Sequence, residues 1–145
     1  HPDSSRPQYA DAVSFIQAGL ADLSSAGLNP VLEAVIWLPA EHDAWWTPYR
    51  QNYAQRLTTV AANLRADLGT PTLKWYAAEL PDYLTWGQPE LDDLDAKIVS
   101  VAAADPYMWF VQTDSLSPTS PSPTIGALGA LELGRLLART YVRTL

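Results

Sequence analysis

Glu41, His42 and Asp43 set an imidazole between two carboxylates, and they come just after a long apolar run: Val31, Leu32, Ala34, Val35, Ile36, Trp37 and Leu38, interrupted only by Glu33. Histidine is the side chain whose charge changes near neutral pH, so such a cluster has the parts of a general base. In open α/β sheets the C-terminal ends of the strands are where ligands bind, and a strand over 31–38 would deliver His42 there. The plainer reading is a strand-end loop whose polar side chains solvate the backbone and start the next helix. Trp45 and Trp46 follow at once, and Trp86 with Tyr83 stands on a later loop. Together these rings form an aromatic platform for a sugar or for a partner's apolar side chain, or else local packing over the loop. Arg135, Arg139 and Arg143 recur four apart and so share one face of a helix, either solvated or set against an acidic partner.

Composition removes other chemistries. The 145 residues contain no cysteine and two histidines, which leaves no thiolate nucleophile, no cysteine zinc site and no histidine-rich metal site. Nine Lys and Arg against sixteen Asp and Glu give a formal charge of −7, a field that repels phosphate backbones, so nucleic acid is not an expected partner. No apolar run approaches the roughly 18 residues of a membrane span. Hydrophobic residues make up 48 % and charged residues 17 %, enough for one folded domain over 1–145.

The elements that must position these residues follow from periodicity. Tyr9, Val13, Ile16, Leu20 and Leu23 mark an amphipathic helix that Gly27 and Pro30 close. The apolar run 31–38 predicts a strand buried on both faces. After a loop over 39–47, Pro48 opens a helix that continues through Tyr49, Tyr53, Leu57, Val60, Leu64 and Leu68 to a stop at Gly69. A strand over 72–78 comes next. The helix that follows carries Leu91, Leu94, Ile98 and Val101 inward, with Glu90, Asp92, Asp93 and Asp95 as dipole-favoured charge in its first turns. A short strand over 108–111, a Ser- and Pro-rich loop over 115–124 and a last helix with Leu128, Leu131 and Leu137 inward complete the chain. Alternating helices and strands predict a parallel sheet with right-handed crossovers and helices on both faces. The chain starts at His1, and its first helix has no strand before it. The expectation is an architecture whose first strands lie upstream, leaving the 31–38 strand with an open edge.

Several segments resemble one family. His1-Pro2-Asp3-Ser4, a helix, and then Val35-Ile36-Trp37-Leu38-Pro39-Ala40-Glu41-His42-Asp43-Ala44 resemble the SGNH hydrolases of the sialate O-acetylesterase-like, carbohydrate-esterase type. In that family a His-Pro-Asp-Ser-like stretch leads to a strand ending in Trp-x-Gln-Gly-Glu-Ser-Asp-Ala. Leu64-Arg65 before a Gly, Asp114-Ser115-Leu116 after the last strand, and the helix from Gly129 through Leu133, Gly134 and Ala138 are similar to the family's later blocks in the same order. The resemblance implies a three-layer αβα sandwich with a parallel sheet, the flavodoxin-like SGNH fold, missing its first strands.

It also implies which catalytic parts these residues lack. The family's Ser nucleophile and oxyanion glycine belong to blocks upstream of this sequence. His42 occupies the position of the usual oxyanion Asn or Ser, and the block's Gly has become Ala40. Counting back from Gly129 puts Thr124 at the general-base His and Pro121 at its Asp partner, and neither takes up a proton near neutral pH. Thr113-Asp114-Ser115-Leu116 looks like a nucleophile block only by coincidence, since it lacks the Gly and no histidine follows it. The expectation is a non-catalytic esterase-like domain without a cofactor, serving as a binding or structural part of a larger assembly. Glu41, His42, Asp43, Trp45, Trp46 and Trp86 would form its binding face, and family analogy places it at a cell surface or in a virion. Its expected partner is a polypeptide, the upstream part of the same product or a neighbouring subunit, paired along the edge from Val31 to Leu38; a glycan is a further candidate. The alternatives are a working carbohydrate O-acetylesterase whose nucleophile lies upstream, and an unrelated small-ligand-binding α/β domain.

Overall fold

The computed structural model describes residues 8–39, 41–80, 87–113, 116 and 127–144. The elements run α1 (Gln8–Ser25), β1 (Ala34–Trp37), α2 (Glu41–Trp45), α3 (Thr47–Gln51), α4 (Tyr53–Asp67), β2 (Lys74–Ala78), α5 (Gln88–Ala104), β3 (Met108–Val111) and α6 (Ala127–Arg143). The three strands form one parallel sheet in the order β1-β2-β3. Val35 lies opposite Trp75, and Tyr76 opposite Trp109.

Alternation along β2 divides the core. Trp75 and Ala77 face one layer, where Leu57, Ala61 and Leu64 of α4 meet Leu91, Leu94, Ile98 and Val101 of α5. Each of these leucine, isoleucine and valine side chains, fully buried, contributes roughly 1.5–3 kcal/mol. Tyr76 and Ala78 face the other layer with Val111, Leu116 and Leu133 of α6. The Tyr76 ring stacks on Trp109 with centroids 5.4 Å apart, and its hydroxyl shares a 2.6 Å hydrogen bond with Thr144 at the end of α6. Helices on both faces of a parallel sheet give the predicted αβα layering.

At Gly69 the predicted helix stop has its physical cause. With φ of 63° this residue adopts a left-handed conformation; its N–H reaches Ala66 O, and the N–H of Thr70 reaches Arg65 O. The final carbonyls of α4 are satisfied in this way. Beyond the stop, Arg65 Nε donates to Leu73 O at 3.0 Å and Nη1 to Asp105 at 2.6 Å. One guanidinium thus ties the end of α4 to the strand entrances.

Four expectations need correction. The run 31–38 is not buried on both faces: regular pairing spans only Ala34–Trp37, β1 is the outer strand, and Ile36 is 57 % exposed. An apolar run records hydrophobicity, not how many neighbours the strand finds. The loop 39–47 holds α2, and the helix predicted from Pro48 breaks at Asn52, whose φ of −100° and ψ of 9° end α3 before α4 begins. Asn52 Nδ2 donates back to Pro48 O at 3.0 Å, a side-chain competition with the helix ladder typical of Asn. The amphipathic reading of α1 stands: Val13 and Ile16 rest against the core although no α1 residue is fully buried, and Tyr9 Oη donates to Asp67 of α4 at 2.6 Å. In α6 Leu131 points outward, 52 % exposed, and Leu133, Leu136, Leu137 and Tyr141 form the inner stripe.

Candidate functional site

The C-terminal ends of the strands are tied together by polar groups. At the end of β1, Trp37 Nε1 donates to Tyr53 Oη at 2.8 Å, which joins the outer strand to the first turn of α4. Tyr53 is 5 % exposed. Its phenol is pushed up to about 12, chiefly by burial and further by the carboxylates of Asp43 and Asp95. Beyond β2, Glu79 accepts the Thr113 N–H at 2.7 Å, and the Thr113 hydroxyl donates to Glu79 O at 3.2 Å. Asp95 accepts the Leu80 N–H at 3.3 Å. Both carboxylates thus accept backbone N–H groups and fix where the strands end.

Periodicity assigns Asp95 to dipole-facing charge, and the structure places it inward at 9 % exposure. The signal was available: 91, 94, 95 and 98 form one helical stripe, so Asp95 shares the face of three apolar neighbours. Glu79 had no comparable signal, because its role depends on a strand far away in sequence.

α2 and α3 cross this end of the sheet. Ala44 is buried, and its carbonyl accepts from Arg50 Nη1 at 2.5 Å while Arg50 Nε reaches Asp93 of α5 at 3.0 Å. Lys97 pairs with the same carboxylate, and the contact with Lys97, reinforced by Arg50, holds the Asp93 carboxyl below its usual range. The short helices are thereby fixed to α5. Trp45 and Trp46 remain 55 % and 54 % exposed. Trp45 lies against Gly87, where φ is 88° and a Cβ would come within 3.5 Å of the indole. This is a left-handed residue in close approach to a ring, which favours glycine there. Trp46 and Tyr49 are tilted 44° to one another at 6.5 Å, and the Arg56 guanidinium lies 4.6 Å above the Tyr49 ring. The result is an aromatic ledge with a cation at its rim.

Of the residues expected in a site, Asp43, Trp45 and Trp46 come together here on α2 and its junction with α3. Glu41 and His42 belong to the backbone of α2, and their side chains lie outside the described structure. Trp86, Tyr83, Pro121 and Thr124 also lie outside the described residues. Tyr49 and Arg56 were missing from the expected platform; the spacing of three between Trp46 and Tyr49 was a signal for the first, and Arg56 joins by lying over the Tyr49 ring.

The model of the family described as carbohydrate esterase, sialic acid-specific acetylesterase, matches residues 3–143. A comparison with curated proteins found no match. Among solved structures, the chain is similar to a protein from Arabidopsis thaliana, with a TM-score of 0.76 at 19 % identity, covering 93 % of this chain and 52 % of that one. That likeness concerns the fold, and the chain spans about half the length of that protein. With the family model running across nearly all of a parallel αβα fold, the chain belongs to the carbohydrate esterase family of sialic acid-specific acetylesterases.

Proposed function

We propose that these 145 residues act as a sugar-binding, non-hydrolysing part of a larger assembly built on the acetylesterase fold. The observation that carries this reading is the ledge of Trp45, Trp46 and Tyr49, whose two tryptophans stay more than half exposed at the strand ends. Large rings held in place by a packed scaffold offer an apolar face to a sugar ring at little cost in side-chain entropy. The absence of a Ser block from this sequence, with Thr124 and Pro121 at the acid-base positions, argues against hydrolysis by these residues alone. The edge of β1, which has no further strand among the described residues, supports the assembly half of the proposal: a polypeptide corresponding to the unmatched half of the neighbour's chain would pair there.

Titration of the chain with an O-acetylated sialic acid, followed by saturation-transfer NMR, tests the reading. Binding should weaken about tenfold in Trp46→Ala, with no acetate released. Absence of binding, or binding unaffected by Trp46→Ala, would overturn it.

A second reading rests on the 52 % coverage of the neighbour. In that reading the chain is one half of a working carbohydrate O-acetylesterase, with the nucleophile on upstream polypeptide. Acetate release from the acetylated sugar by the full gene product, lost in His42→Ala, would favour it.

A further inference from the structure

At the opposite side of the sheet, β3 also has only one strand neighbour among the described residues. The carbonyls of Tyr107 and Val111 accept hydrogen bonds from Trp75 and Glu79, on the β2 side. Alternate residues of a parallel strand bond to opposite sides, so Phe110 and Gln112 direct their main-chain N–H and C=O away from β2. Next to this edge runs a groove of about 460 Å³, lined by Trp109, Phe110 and Gln112 on one wall and by Leu136, Thr140 and Arg143 of α6 on the other. A smaller recess of about 200 Å³ continues along the helix between Arg135 and Arg139, with Glu132 at its margin.

The charge along this groove is unusual for the molecule. Arg50, Arg65, Lys74 and Lys97 are each held by a carboxylate, and Arg56 lies over the Tyr49 ring. Arg135, Arg139 and Arg143 are exposed, and none is in an ion pair with a described residue. Three cations on one helix stripe with no ion-pair partner among the described residues, in a chain of net charge −7, make a local attraction for acidic groups inside a field that repels long polyanions.

We propose that the groove between β3 and α6 receives an acidic polypeptide segment in extended form, added as a strand beside β3 with its carboxylates on Arg139 and Arg143. Outward N–H and C=O groups two residues apart match the repeat of an extended backbone. Side chains of the segment on the α6 face, beside Trp109 and Leu136, would carry the acids to the arginines, and the alternate ones would lie on the opposite face beside Phe110. A nucleic acid supplies negative charge but no main-chain ladder, and the net charge opposes it. The segment is therefore a peptide, with acids at alternate positions.

The test uses a fluorescently labelled ten-residue peptide of alternating valine and glutamate, titrated into the protein and followed by anisotropy. Matched probes are the valine-lysine peptide and a thymidine oligonucleotide. The proposal expects saturable binding of the valine-glutamate peptide only. That binding should fall about tenfold or more in the double variant Arg139→Glu, Arg143→Glu, whose far-UV circular dichroism should be unchanged because both side chains lie on the surface. Amide exchange at Phe110 and Gln112 should slow on binding. Equal binding of the lysine peptide or the oligonucleotide would overturn the proposal, as would binding that leaves exchange at Phe110 and Gln112 unchanged. Failure of the valine-glutamate peptide to bind at millimolar concentration would do the same.

Discussion

Along β1 the outer edge of the sheet passes exposed apolar side chains, Ile36 at 57 % and Leu38 at 54 %. Along β3 the outer edge lies between α5 on one face and α6 on the other, beside a groove rimmed by arginine. Both strands are equally apolar in sequence, so residue type does not explain the difference. What differs is the helix that follows. The chain leaving β1 enters two short helices that cross the strand ends, whereas the chain leaving β3 returns as α6, whose Leu133, Leu136 and Leu137 pack in one cluster with Trp109 and Val111 of β3. A helix across the flanking face covers side chains but leaves the outward main-chain groups free, so both edges can take a further strand, and only the β1 edge does so beside exposed apolar side chains.

The sharpest way to break the comparison is to make the same kind of truncation on each side. Leu133→Ala removes the α6 anchor that lies 6 % exposed under β2 and β3, and should cost about 2–5 kcal/mol in urea unfolding. A small effect would mean that α6 does not cover the β3 side as an integral layer.

The next effect concerns what holds β1 from within. Tyr53→Phe removes the acceptor of Trp37 Nε1 and should cost about 1–3 kcal/mol. It should also alter the alkaline limb of stability. The phenol of Tyr53 is raised from 10.0 to about 12, so the folded state keeps its proton longer than the unfolded chain does. The associated stability is complete below pH 10 and is lost as pH rises toward 12. Unfolding midpoints measured from pH 8 to 11 should fall more steeply above pH 10 in the native chain than in Tyr53→Phe. Parallel slopes would show that Tyr53 is not the group responsible.

Ile36→Ala, at the bare edge, should change stability by less than about 0.5 kcal/mol, as surface substitutions usually do. Ile36→Lys should nonetheless reduce self-association by light scattering, because a charge on an edge opposes strand pairing. A large loss of stability in Ile36→Ala would show that the β1 side is already closed, and the comparison would fail.

Much of the fold was legible because it depends on local pattern. The order of helices and strands, the parallel sheet and the stop at Gly69 follow from periodicity and from one residue that tolerates a left-handed backbone. The inward face of α6 was less legible. Leu131, Leu133, Leu136 and Leu137 cover more than half the helix circumference, so several rotations about its axis satisfy the pattern equally. Contact with Tyr76 and Val111 selects the one that buries Leu133. In the candidate site the tryptophans were legible as residue types, while the ledge was not, because it depends on how α2 and α3 are fixed across the strand ends by Arg50 and Asp93.

The sequence by itself determined the family, through ordered motifs along the whole chain, and the alternation of elements, through hydrophobic spacing. Tertiary structure alone decided which faces stay bare and which acids are engaged. Ile36 is as apolar as Ile98, yet one is 57 % exposed and the other fully buried. Glu79 carries the same carboxylate as Glu90, yet it is brought against the Thr113 N–H from beyond the next strand. Burial is a property of neighbours brought together from distant parts of the chain, and local sequence does not encode their arrival.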